Sequence, residues 1–390
     1  MGMSTRPDGA LAMQAAVCRE FGAPLVIEEL FIDPPERDEV LVDIHAVAIC
    51  ASDLHANDGS WGGALPAVNG HEASGVIAAV GPGVVSVAVG DRVVVALLRN
   101  CRDCFFCNRD ETHLCERRAE FAIATEHRLH DADGNDVVQG VYTGAFAERT
   151  VVHHSQVARI DDSMGFDVAS LLACGVITGF GAVTNTADVA AGSSVVVVGA
   201  GGVGLNSIQG ARVAGASPII AVDVSDQKLA DAKEFGATHV VRGDQVDVGE
   251  AVAVLTGGRG ADYVFVTVGS TAAIEQAIGI ARKGGTVVVV GMTRTGDVVS
   301  IDGSGFAGDG KRVIGSFMGS ADLVRDLPRL SQLYADGDLH LDELVTATYP
   351  LDQINEAIAS TRSGQARRNV ITIEHPVGDD QASAPAEGAH

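Results

Sequence analysis

The sequence predicts an α/β protein with two domains: a β-rich, barrel-like half and a doubly wound parallel sheet. Three observations predict it. The hydrophobic pattern changes period near residue 176. A G-x-G-x-x-G stands where a strand meets a helix. Four of seven cysteines crowd into Cys101–Cys115, in the β-rich half.

The first half comes first in the chain. VLVDIHAVAIC, GVIAAVG, DRVVVALL and FAERTVV run or alternate apolar over strand lengths. Glycine turns at 81–83 and 90–91 punctuate them. The pattern predicts an all-β or partly open barrel with long loops over residues 1–176. A metal-bearing lobe is expected at about 97–118.

Over 177–318 the strands SSVVVVG, PIIAVD, HVV, DYVFVTVG and GGTVVVVG alternate with helical stretches such as SDQKLADAKEFGA and TAAIEQAIGIARK. That alternation means βαβ units. Residues 319–374 add helices at 321–337 and near 351–362 and a strand, NVITI, returning to the first domain. Residues 1–12 and 375–390 are small and polar and are expected to be disordered ends.

Composition narrows the function. The net charge is −24, which argues against nucleic acid and anionic membranes as partners. No apolar run reaches a membrane span, and the start, MGMSTRPDGALAMQ, has no signal-peptide core. A cytoplasmic protein is expected. In that compartment disulfides are rare, and an odd number of cysteines leaves no closed set.

Gly199, Gly201, Gly202, Val203 and Gly204 fall in the G-x-G-x-x-G motif, and Asp223 ends the next strand. Gly199 permits a tight turn, Gly201 lets backbone approach a pyrophosphate, and Gly204 lets helix pack on strand. The helix N-terminus presents free N–H groups to phosphate. Asp223 can accept from both ribose hydroxyls and repels a 2′-phosphate, so NAD is expected as the cofactor. Cys101, Cys104, Cys107 and Cys115 are spaced C-x2-C-x2-C-x7-C. Four thiolates can close a tetrahedral zinc site with no place for substrate. Cys50, His71 and Cys174 are sparser, and two thiolates with one imidazole suit a zinc that keeps an open position.

With these motifs the sequence resembles the zinc-dependent alcohol dehydrogenases of the medium-chain dehydrogenase/reductase superfamily, over about 14–374. The resemblance rests on CASDLH (50–55), GHE (70–72), the cysteine knuckle, CGVITGFGAV and the glycine motif with Asp223. It implies a GroES-like catalytic domain beside a Rossmann domain. It implies two zinc ions per subunit: a catalytic one on Cys50, His71 and Cys174, and a structural one on Cys101, Cys104, Cys107 and Cys115. Asp53 would orient His71, and Glu72 would stand near the metal. Ser52 and His55 would relay protons. Thr178, Lys228 and Arg368 would contact the cofactor, and Trp61, Leu97 and Phe146 would line the substrate pocket. The segment from Cys115 to FAERTVV has the length seen in the dimeric branch, so a homodimer is expected, paired through the strand near 312–317.

Two departures matter. Ala51 stands where many members place a basic residue on the pyrophosphate, which weakens that contact. Trp61 and Ala119 stand where glutathione-linked formaldehyde dehydrogenases hold glutathione carboxylates. A neutral primary or aromatic alcohol, or its aldehyde, is therefore expected over a thiol adduct. A non-catalytic NAD- or zinc-binding protein is the rival from another class; the intact Cys50/His71/Cys174 set with Ser52 argues against it.

Overall fold

The computed structural model describes residues 9–121, 123 and 127–375. The residues beyond them, 1–8 and 376–390 among them, include most of the expected disordered ends. Two corrections apply at the rims of those ends. Leu11 and Ala12 already belong to strand β1 (Leu11–Cys18), paired with β2 (Val26–Ile32). His375 is held at its ring, with Nε2 2.8 Å from the Ile44 carbonyl.

The β-rich half holds two sheets. β1, β2, β4 (Ala67–Val68), β7 (Leu129–His130) and β8 (Asp136–Gln139) close a five-stranded barrel. The barrel is closed where the sequence suggested a partly open one. Its closing strands β4 and β7 are only two residues long, too short to leave a period in sequence. The second sheet centres on β3 (Glu39–Ala48). It pairs with β5 (Glu72–Val80), β9 (Arg149–His153) and, from the far end of the chain, β18 (Arg368–Thr372). β6 (Arg92–Val95), β10 (Val157–Arg159) and β17 (Val345–Pro350) complete it.

The other half is one parallel sheet in the order β13-β12-β11-β14-β15-β16. Its strands are β11 (Val195–Val198), β12 (Ile219–Asp223), β13 (His239–Arg242), β14 (Ala261–Val266), β15 (Ala281–Val289) and β16 (Arg312–Gly315). The chain reverses direction across the sheet between β12 and β14, on either side of β11. A ligand crevice opens at the carboxyl ends of strands at such a switch point. The helix expected to run through 283 stops at Ile280, because Ala281 already pairs with Ala261.

A continuous helical run, Phe166–Thr186, joins the halves, so the expected boundary at 176 falls inside it. By length and hydropathy it could cross a membrane, yet 89% of its apolar window is buried within the protein. It is a core element, packed on helix Gly202–Val213. A Cβ at Gly179 would stand 2.2 Å from the Val203 carbonyl oxygen, so glycine sets that close approach. A helix apolar on all sides shows no 3.6-residue period, which is why the sequence does not announce it.

Candidate active site

Cys50 caps helix Ala51–Asp58 just past the end of β3. His71 immediately precedes β5. Cys174 lies in a π-turn, Leu172–Val176, of the central helical run. Such wide turns concentrate at functional sites. Three separate elements thus meet: donor atoms of Cys50, His71, Glu72 and Cys174 all lie within 4.8 Å of one another, and all four residues are buried.

Asp53 orders this cluster. Its Oδ1 receives His71 Nδ1–H at 2.8 Å and the Gly70 N–H at 3.1 Å. Its Oδ2 receives the Cys50 N–H at 2.9 Å. His71 Nε2 is left buried, with no hydrogen-bond partner among the described residues. An imidazole held at one nitrogen and orphaned at the other fits a metal ligand. The neighbouring Cys174 thiol, together with the His71 ring, holds the Cys50 thiol well below the ordinary thiol range. Hydrogen bonding to Cys50, and then burial, push Cys174 well above that range. Burial disfavours charge on His71, but the Asp53 carboxylate outweighs it and raises the ring's pKa. Burial pushes the Glu72 carboxyl up to about 8, against the pull of Arg368. A donor set that ionises this way exchanges protons for a cation.

Arg368 reaches this cluster from β18. Its Nη1 lies 3.3 Å from Glu72 Oε1. A Cβ at Gly175 would stand 1.7 Å from Nη2, and one at Gly202 2.5 Å from Nε. The guanidinium thus bridges the candidate metal site and the start of helix Gly202–Val213. There Gly199 adopts φ +94, and a Cβ at Gly204 would stand 1.9 Å from the Gly199 carbonyl oxygen. A Cβ at Gly201 would meet nothing within 4 Å, so backbone borders open space at the helix N-terminus, as a pyrophosphate requires. Asp223 accepts the N–H groups of Ala200 (2.8 Å), Val224 (2.7 Å) and Ser225 (3.0 Å). A carboxylate has about four acceptor positions, so room remains for a ribose hydroxyl. Val203, in the first turn of that helix, is partly exposed, and Lys228 Nζ lies 3.9 Å from where a Gly364 Cβ would stand.

The remaining expected residues divide. Ser52 and His55 lie one turn apart on one helix, and no hydrogen bond joins them among the described residues. The Trp61 ring packs 5.2 Å from the His55 ring. Leu97 packs on the core that contains Cys50 and Cys174. Phe146 is a correction: it is fully buried in the barrel core, against Gly70, and lines no pocket. Closing the barrel sequesters its ring, which stabilises the fold by roughly 1.5–3 kcal/mol. Thr178 donates to Met318, a residue the sequence did not single out.

The knuckle is separate. Cys101 and Cys107 sulfurs lie 3.9 Å apart, as do those of Cys104 and Cys115. Disulfides need about 2 Å, whereas zinc–sulfur bonds near 2.3 Å give a tetrahedron with edges of about 3.8 Å. Burial pushes the Cys115 thiol up to about 12. At Cys104 burial is outweighed by the Cys107 and Glu116 N–H groups, which bring that thiol to about 6. The lobe is tied to the body by Arg102 and Thr112, each 3.0 Å from the Asp322 carboxylate.

Comparison with known proteins adds to this geometry. Residues 36–162 match the alcohol dehydrogenase GroES-like domain, and residues 202–336 match the zinc-binding dehydrogenase domain. The chain is 38% identical to the NDMA-dependent alcohol dehydrogenase of Amycolatopsis methanolica, over 92% of its length and 98% of the relative's. The chain belongs to the zinc-dependent medium-chain alcohol dehydrogenases. The benzyl alcohol dehydrogenase of Acinetobacter calcoaceticus superposes with a TM-score of 0.87 at 32% identity, over 93% of this chain and 99% of that one. A zinc-binding dehydrogenase from Sinorhizobium meliloti 1021, bound to NADP, gives 0.78 at 26% identity, covering 93% and 99%. This alcohol dehydrogenase is thus a zinc enzyme that uses a nicotinamide cofactor and acts on small alcohols or aldehydes.

Proposed function

We propose that this dehydrogenase uses NAD to interconvert neutral primary alcohols, aromatic ones included, with their aldehydes. It holds two zinc ions per subunit and works as a cytoplasmic homodimer. The observation that carries the reading is His71 Nε2, buried and unpartnered beside two thiols and one guanidinium's length from the glycine loop.

Cys50, His71 and Cys174 hold the catalytic zinc, and Cys101, Cys104, Cys107 and Cys115 the structural one. When bound, the catalytic zinc supplies Lewis acidity that favours an alkoxide near neutral pH, and the dinucleotide supplies the hydride acceptor. The chain's own residues do the rest. Asp53 fixes the His71 tautomer. Ser52 Oγ accepts the alcohol proton as it passes its own on across the gap that the bound cofactor's ribose would span, and His55, half-exposed one turn along, releases a proton to water. Arg368 and the N–H groups at Gly202 and Val203 hold the pyrophosphate. Lys228 and Asp223 hold the adenosine ribose, and Asp223 disfavours a 2′-phosphate there. Trp61 and Leu97 give the substrate an apolar wall, and Ala119 offers no cation to a carboxylate. A benzyl alcohol dehydrogenase among the similar structures favours aromatic alcohols.

The test is a panel of aliphatic and aromatic alcohols with zinc-loaded enzyme, offered NAD or NADP and followed by reduced-nicotinamide absorbance. Turnover of benzylic or other neutral alcohols with NAD is expected. No turnover on any alcohol or aldehyde would sink the reading, and a preference for NADP would sink its cofactor half.

A further inference from the structure

Met318 touches the candidate metal site and has no part in the roles above. It is 6% exposed, and its sulfur lies 3.8 Å from Cys174 Sγ. The Thr178 hydroxyl donates to the same sulfur at 3.5 Å. One thioether therefore contacts a candidate zinc ligand and the residue one helical turn beyond it.

The backbone that aims this side chain is strained. Met318, Gly319 and Ser320 all have left-handed φ, at +50, +66 and +50. For Met and Ser such a conformation persists only where the surroundings over-determine it, and it clusters at functional sites. The surroundings are clear here. A Cβ at Gly319 would stand 2.3 Å from the Ile177 carbonyl oxygen, so only glycine fits. The Gly319 carbonyl accepts from Asn185 Nδ2 at 3.3 Å. The Ser320 and Ser316 hydroxyls each meet Thr186 Oγ1 at 2.8 Å. The turn is thus pinned along the same helical run that carries Cys174.

The inference rests on the proposed dinucleotide reading. A hydride acceptor must lie in contact with a substrate held at Cys50, His71 and Cys174. Its diphosphate is fixed at the helix N-terminus near Gly202, which Arg368 joins to that cluster. The nicotinamide ring is confined to the short interval between them. Thr178 and Met318 stand at the Cys174 side of that interval. We infer that Met318 is a positioning residue: its thioether, aimed by the left-handed turn, forms the wall on which the nicotinamide ring rests beside Cys174. Sulfur suits that place because thioethers are polarizable and pack favourably on aromatic rings.

ADP-ribose provides the test, since it carries the same diphosphate and riboses without the ring. Zinc-loaded, full-length Met318→Ala, Met318→Gln and Met318→Leu enzymes are titrated with NADH and with ADP-ribose by calorimetry, and their zinc content is measured. Removing the wall, or making it polar at the same length, weakens NADH about tenfold or more, by the scale of apolar-pocket truncations. ADP-ribose affinity and zinc content stay at wild-type values. Met318→Leu, which keeps the apolar volume, recovers most of the NADH affinity. Met318→Gln carries the test alone if the alanine variant does not fold. Equal loss of both ligands, or no loss of either, overturns the inference and leaves the dinucleotide reading standing. Wild-type enzyme that binds neither ligand removes that reading, and the inference with it.

Discussion

At the scale of single residues, Asp53 does the most with the fewest atoms. Its two oxygens fix the His71 ring, the Gly70 backbone and the Cys50 backbone together. An amide at this position must turn its NH2 group toward an N–H donor, so one of the three bonds is lost. Asp53→Asn is therefore expected to lower zinc affinity or turnover about 10–100-fold, the usual cost of removing a ligand's partner. Competition with a chromophoric chelator measures the affinity directly; unchanged affinity and turnover together would refute the role. Asp53 was legible because CASDLH is a local pattern. Met318 was not, since nothing in SFMGSAD signals contact with Cys174, a residue far back in the chain. Phe146 was misread for a related reason: an aromatic after a glycine turn looks the same in sequence whether it faces a cleft or a closed barrel.

At the scale of elements, one cysteine set serves stability and the other chemistry in the proposed reading. The knuckle has almost no apolar core beyond its own cysteines and Phe106. In the proposed reading a zinc ion holds it in shape, as in other small lobes that fold around zinc. Cys104→Ser is expected to lower the unfolding midpoint by roughly 5–10 °C, taking ~2–4 °C per kcal/mol for a domain of this size. Cys174→Ser is expected to abolish turnover while the midpoint moves little. Scanning calorimetry beside an activity assay distinguishes them, and a Cys104→Ser enzyme as stable as the parent would count against a structural metal. The glycine loop was readable because strand, turn and helix are contiguous in sequence. The run Phe166–Thr186 was not, because burial on every side erases its period, and the two-residue strands that close the barrel are too short to carry one.

At the scale of the whole molecule, the six-stranded sheet ends on β16, whose outer edge has no partner strand among the described residues. Arg312, Val313 and Gly315 are exposed there. An open edge of this kind invites a second copy to extend the sheet, and lysine is the residue that blunts such edges. Val313→Lys is expected to shift the proposed dimer to monomer in sedimentation; a wild-type monomer, or a variant still dimeric, would remove β16 as the interface. The division into a β-rich half and a parallel sheet was legible from period alone, whereas the length of chain separating paired strands was not. That separation governs the order of assembly. Ala48 pairs with Val370, and the Ile49 N–H reaches the Asn369 carbonyl at 2.9 Å, so the strand flanking Cys50 is synthesised long after Cys50 itself. At about 5–20 residues per second, the ribosome needs on the order of 15–60 s to make the stretch between them. Throughout that interval Cys50, His71 and finally Cys174 exist on a nascent chain whose β3 edge is open and whose Arg368 has not been made. Prematurely released chains would carry the thiols proposed to bind zinc on an unfinished, aggregation-exposed sheet.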